Sequence, residues 1–253
     1  MIFHFSQCKK NLDESYYMYS MSIHHGHTRF KPGNFSLNTI GKIRQKIPLD
    51  VFDYQILLDA LAEYRKPRDK ITRLLSGGEI VRIKKGLYCF GEAFRRGPII
   101  REYLANTIYG PSYVSLEYAL SYHGLIPERV ETVTSVSTQR SRNFNTPFGV
   151  FTYQMMSSPR YATGAVFETI GGITVMVASP EKALADKVWT DKRFTGLRIS
   201  DYDAYLCDDL RIDPDGLTRL DHKRLQAIAT VYNSPKINNL VRYLGRQKEI
   251  SDA

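Results

Sequence analysis

Between Pro67 and Phe90 the apolar residues change period, and a glycine pair marks the change. In PRDKITRLLSGG, Ile71, Leu74 and Leu75 recur at three- and four-residue spacing, as on one inward helix face. Pro67 suits the first helical position, where no backbone N–H is needed, and Gly77-Gly78 supplies a left-handed stop. In EIVRIKKGLYCF the side chains then alternate. Ile80, Arg82 and Lys84 point one way and Val81 and Ile83 the other, until Lys85-Gly86 turns the chain into Leu87, Tyr88, Cys89 and Phe90. Few folds accept a helix that stops abruptly and runs straight into a short basic ribbon.

Upstream, Val51, Tyr54, Leu57, Leu58 and Leu61 predict an amphipathic helix of about three turns with Asp50 as its cap. Ile40, Ile43 and Ile47 predict another short helix that ends before Pro48. Helix, turn, helix and basic hairpin in that order make a winged helix-turn-helix over residues 36–96. In that motif the second helix enters the major groove of DNA and the hairpin lies against the neighbouring backbone. Arg68, Lys70, Thr72 and Arg73 fall off the inward stripe, Arg65 and Lys66 sit in the preceding turn, and Arg82, Lys84 and Lys85 crowd the hairpin. An Arg or Thr near the start of such a helix reaches base edges, whereas turn and hairpin lysines neutralise phosphates. Winged helices also dock proteins, which is the competing use of the same surface.

Charge is distributed to match. The formal net charge is +9. Residues 42–103 hold fourteen Lys and Arg against eight Asp and Glu, so most of the excess lies in this one block. A basic module joined to a nearly neutral remainder is expected to meet double-stranded DNA through the module. The chain has no run of about 18 apolar residues and no secretory-type N-terminus, so no membrane contact and a cytoplasmic location are expected. Cys8, Cys89 and Cys207 are widely spaced and predict reduced thiols rather than a disulfide or zinc framework. Residues 1–35 lack a sustained period and read as a poorly ordered arm; His24, His25 and His27 there lack the fixed scaffold a metal site needs.

Residues 97–253 read as a mixed α+β domain with a helical tail, making the whole an α+β protein. Helices are expected at 97–109, within Gly110 to Leu125, and from Ser179-Pro180-Glu181 through Trp189. Strands are expected at 130–136 and 150–156, and a hairpin turns at Gly171-Gly172. Thr138 to Gly149 reads as a polar loop whose Arg140 and Arg142 either extend a DNA footprint, meet a partner protein or stay solvated.

No catalytic constellation, metal site or cofactor motif emerges. Glu181, Lys182, Asp186 and Lys187 read as the ordinary charges of a helix start. Asp201, Asp203, Asp208 and Asp209 would suit a metal-dependent nuclease only if they converged, and their spacing spreads them round a surface helix. His123 reads as a satisfied helix-end histidine, and Asp213-Pro214-Asp215-Gly216 as a turn.

Three runs, Tyr64 to Glu92 (YRKPRDKITRLLSGGEIVRIKKGLYCFGE), Arg101 to Glu128 (REYLANTIYGPSYVSLEYALSYHGLIPE) and Ser179 to Trp189 (SPEKALADKVW), resemble the AbiEi-type antitoxins of abortive-infection, type IV toxin–antitoxin systems. The likeness spans roughly residues 45–195 in order. It implies a bacterial, non-enzymatic protein whose winged helix represses its own promoter and whose C-terminal antitoxin domain opposes a nucleotidyltransferase-like toxin. By position, the recognition helix and wing would be Arg65 through Arg73 and Arg82 through Lys85. Tyr113, Ser115, Leu116, Ala119, Leu120 and Gly124 would be the core signature of the antitoxin domain. The alternative is a winged-helix transcription regulator with a ligand-sensing C-terminal domain and no toxin partner.

Overall fold

Helix α1 (Ser36–Lys46) turns Ile40 and Ile43, with Ile47 just beyond it, into a small apolar core, as their spacing dictates. The computed structural model describes residues 36–251; the expected arm at 1–35, with its histidines and Cys8, lies outside them. Strand β1 (Val51–Asp53) follows, then α2 (Tyr54–Ala60), α3 (Pro67–Ser76) and the hairpin of β2 (Ile80–Lys84) and β3 (Leu87–Phe90). The three strands form an antiparallel sheet in the order β1-β3-β2.

The expected helix from Val51 is therefore shorter. Val51 and Phe52 alternate across β1, pairing with Cys89 and Tyr88, and Asp53 caps α2 by accepting from the Ile56 amide at 2.8 Å. Asp50 instead pairs with Arg44 at 2.7 Å and accepts from the Arg96 amide.

Helix α3 ends as its glycine pair predicts. The Glu79 amide donates to the Leu74 carbonyl and the Gly78 amide to that of Leu75, with Gly78 at φ +70°. This hydrogen-bonded exit delivers the chain into β2 through Gly77, Gly78 and Glu79 alone. Gly91 packs so closely on the Gly78 carbonyl that a Cβ there would collide with it, so the far end of the hairpin needs glycine too.

Every residue of β3 is buried. Tyr88 and Phe90 join the small core of α1, α2 and α3, whereas Leu87 and Cys89 join a second, larger core. That core belongs to a six-stranded sheet, ordered β6-β7-β5-β4-β9-β8, from β4 (Ser112–Val114), β5 (Val133–Ser137), β6 (Arg142–Thr146), β7 (Gly149–Met155), β8 (Ala165–Ile170) and β9 (Ile173–Ala178). Pairs β5/β7 and β4/β9 are parallel; the rest are antiparallel.

Between and after the strands run α4 (Arg101–Ile108), α5 (Leu116–Tyr122), α6 (Ser158–Ala162) and α7 (Pro180–Thr190). They are followed by α8 (Asp201–Asp203) with a π-helical turn at Ala204–Asp209, then α9 (Pro214–Thr218), α10 (His222–Tyr232) and α11 (Pro235–Ser251). The chain is thus α+β. Gly110 to Leu125 holds a strand as well as a helix, and Asp213 caps a short helix rather than making a plain turn. Among the described residues no helix is long and apolar enough to cross a membrane.

Helix α7 is the hub of the larger core, and its charges are not those of an ordinary helix start. Asp186 is fully buried; it pairs with Lys182 at 3.0 Å and accepts from Ser115 (2.7 Å), Tyr113 (2.9 Å) and Tyr232. Lys182 donates onward to the Tyr232 hydroxyl (2.7 Å) and the Arg160 carbonyl (2.5 Å), so all three of its protons have acceptors. Burial pulls its ammonium below the ordinary lysine range while Asp186 opposes that shift. Glu181, also buried, accepts from Ser179 and from the Asp221 amide that begins α10. Residues from β4, α6, α7 and α10 thus share one satisfied polar cluster.

Lys182→Met leaves the Asp186 carboxylate buried without its cation and is expected to cost about 3–5 kcal/mol, read as a lower urea midpoint; adding Asp186→Leu should recover part of it. Burial raises the Cys89 thiol to about 11, so this residue should resist a short iodoacetamide pulse at pH 8 until the protein unfolds, as peptide mass spectrometry would detect.

Candidate nucleic-acid interface

The site is built outward from the apolar stripe of α3. Ile71 and Leu74 are buried and Leu75 half-buried, which leaves Arg68, Thr72, Arg73 and Ser76 on the exposed arc with Asp69. Lys66 precedes Pro67 without a side-chain cap, so the first amides of α3 stay open at the positive end of its dipole. Arg65 and Lys66 in the turn are exposed. Lys70 is set apart from this arc. It is half-buried on the flank, with its ammonium 5.7 Å from the centre of the Tyr64 ring.

In the hairpin, Arg82 is exposed opposite Tyr88, on the face that packs against the helices. Strict alternation would put Lys84 on that face too, but a bulge between Arg82 and Lys84 shifts the register and pairs Lys84 with Leu87. Lys84 consequently lies on the opposite face, against the six-stranded sheet. The hairpin turn itself is held in place: the Gly86 carbonyl accepts from the Tyr54 amide at 2.9 Å, and Lys85 beside it is exposed.

Arg142 is not in a loop. It opens β6, an edge strand whose Arg142, Phe144 and Thr146 share one face by the period-two rule. Phe144 packs against Tyr109 and Tyr153, and the Arg142 guanidinium sits 5.7 Å from the Tyr109 ring centre and 6.0 Å from that of Phe144. Lys84 reaches the same Phe144 ring at 5.6 Å. Arg95 lies over Phe148, in the turn between β6 and β7, at 5.8 Å. The structure therefore brings Lys84 and Arg142, from distant segments, around one ring. Arg140 is exposed near Tyr109, whose hydroxyl donates to its carbonyl.

The cations divide into two sets. Arg44 and Lys46 are tied to Asp50 and Glu63, both at 2.7 Å. Among the described residues, Arg65, Lys66, Arg68, Lys70, Arg73, Arg82, Lys84, Lys85, Arg140 and Arg142 make no ion pair. Lys84 is held below the ordinary lysine range, chiefly by burial and further by the Arg142 charge.

The remaining polar candidates stand apart from this surface. The His123 Nε2 lies 2.7 Å from the Ala178 carbonyl at the end of α5. Asp201 accepts from the Arg198 amide and Asp203 from the Tyr243 hydroxyl. No set of three His, Cys, Asp or Glu side chains among the described residues is placed to hold a metal ion. Two groups of residues escape the sequence reading. Phe144 and Phe148 lie in a stretch that stands out by its polar residues, and Tyr109 closes a helix whose partners are distant in sequence. The Lys182–Asp186 cluster leaves no mark within α7 itself, because its hydroxyl partners Tyr113, Ser115 and Tyr232 come from other segments.

Arg142→Gln removes the neighbouring positive charge and is expected to raise the Lys84 pKa toward its ordinary value, read from the lysine 13Cε shift across an alkaline titration. Neither protein-family models nor curated proteins provide a match to this chain.

Proposed function

We propose that the chain is a DNA-binding antitoxin of the AbiEi type, which represses its own promoter and counteracts a nucleotidyltransferase-like toxin in a bacterial cytoplasm. In this reading residues 36–96 are a winged helix-turn-helix: α2 and α3 are the helix pair, α3 is the recognition helix, and β2 with β3 is the wing. The observation that carries the DNA-binding part is the outward arc of α3. Arg68, Thr72 and Arg73 are exposed there, and neither arginine has an acidic partner among the described residues. Arg65, Lys66, Arg82 and Lys85 add exposed cations on the segments immediately before and after. Burying so much unpaired charge against another protein would need matching carboxylates, whereas a duplex supplies one phosphate about every 1.7 Å along its axis.

The antitoxin part rests on the resemblance of the three sequence runs. Their Tyr113, Ser115, Lys182 and Asp186 form the buried cluster that supports the second sheet. That gives these residues a folding role, in keeping with a domain that acts by its surface rather than by chemistry. A ligand-sensing regulator would call for an enclosed pocket. Among the described residues, two open clefts, beside Tyr118 and Tyr243, measure about 170 and 190 Å³ and have charged side chains in their linings, smaller than the ~300–1,000 Å³ usual for small-molecule sites.

Binding to a duplex carrying the protein's own promoter should weaken steeply with salt, with a log–log slope near −0.9 for each phosphate neutralised. Arg68→Ala or Arg73→Ala should reduce the preference for that duplex over a scrambled one by about 1–3 kcal/mol for each base the arginine reads, measured by fluorescence anisotropy. Equal affinity for both duplexes at every salt concentration would end the repressor reading. Failure of co-expression to rescue growth from the toxin encoded alongside would end the antitoxin reading.

A further inference from the structure

Lys84 and Arg142 are two like charges held around one ring with no carboxylate partner among the described residues. The arrangement is built rather than incidental. The β2 bulge turns Lys84 toward the second sheet, and the edge position of β6 keeps Arg142 exposed beside it. The Arg142 guanidinium carbon lies 5.7 Å from the Tyr109 ring centre and 6.0 Å from that of Phe144, so two rings bear on where it sits. Lys84 is held below the ordinary lysine range chiefly by burial and further by the Arg142 charge, and an anion that meets both cations offsets that repulsion.

We propose that Lys84 and Arg142 together clamp one backbone phosphate of duplex DNA, so that the second sheet contributes directly to the DNA footprint. This rests on the DNA-binding reading above. A phosphodiester fits the pair because a guanidinium fork can bind its two non-bridging oxygens while an ammonium, as a point charge, shares one of them. The duplex is favoured over a free anion because Lys84 is continuous with the exposed Lys85 and hairpin turn. Arg95 over Phe148 carries the same row of cations along the β6–β7 hairpin.

The test compares full-length wild type, Arg142→Gln, Lys84→Met and the double variant on the promoter duplex across a salt series. Methionine keeps an aliphatic stem over Phe144, and circular dichroism would verify the fold of each variant. The double variant is expected to lose about one phosphate equivalent, a change of about 0.9 in slope, with each single variant lying between it and wild type. An unchanged slope in the double variant, or a loss of about two equivalents from two separate phosphates, overturns the clamp. Inhibition by inorganic phosphate at constant ionic strength that disappears in Arg142→Gln, with the DNA slope unchanged, would assign the pair to a free anion and overturn it as well. If wild type binds no duplex at any salt concentration, the DNA-binding reading itself fails; if wild type binds normally and only the variants' slopes stay put, that reading stands and the clamp alone falls.

Discussion

Burial of β3 on both faces is the constraint on which the rest of the molecule depends. A strand with Leu87 and Cys89 on one side and Tyr88 and Phe90 on the other must be covered twice. The helices of the first module cover one side and the core of the second sheet covers the other. Both faces of this three-stranded sheet are apolar at β3, and each is buried in a different core. This double cover also fixes how a basic hairpin is presented: its turn is bonded to the start of α2, and its bulged edge faces β6.

Much of the first module is legible in the sequence because its signals are local. Pro67, the Ile71–Leu74–Leu75 stripe and the Gly77-Gly78 stop act within a few residues of one another, and the structure follows them closely. Val51–Asp53 reads as helix because three residues of alternation are too few to distinguish from the first turn of a helical stripe. Its strand character comes from pairing with β3, more than thirty residues on, a non-local contact that no window across Val51 contains. Strand β6 is hidden for a related reason. At the sheet edge Phe144 is the one apolar side chain of β6, while Asn143 and Asn145 face water, so the segment has the composition of a loop.

The candidate surface is legible to the same degree. Which residues of α3 face outward follows from helix geometry alone, and Arg68, Thr72 and Arg73 are where the stripe leaves them. Lys70, only one position from the stripe, lies on its boundary, and the aromatic ring of Tyr64 draws it to the flank. Alternation puts Lys84 on the wrong face because one extra residue in β2 reverses the parity of all that follows it. Nothing in the local spacing marks a bulge without glycine. The cluster around Asp186 escapes any reading of α7 as a single helix, since the meaning of its charges lies in hydroxyls brought to it from β4 and α10.

The sharing of β3 between two cores also limits how the chain can be divided. Cutting after residue 96 would leave Val51, Ile83, Leu87 and Cys89 facing water on one open side of a three-stranded sheet. Such a fragment would carry the basic helix and hairpin intact in sequence while exposing a sticky apolar face, with Lys84 stripped of the ring beneath it. Joining the first module to any other second sheet would therefore require a surface that covers Val51, Ile83, Leu87 and Cys89 and sets a ring beside Lys84.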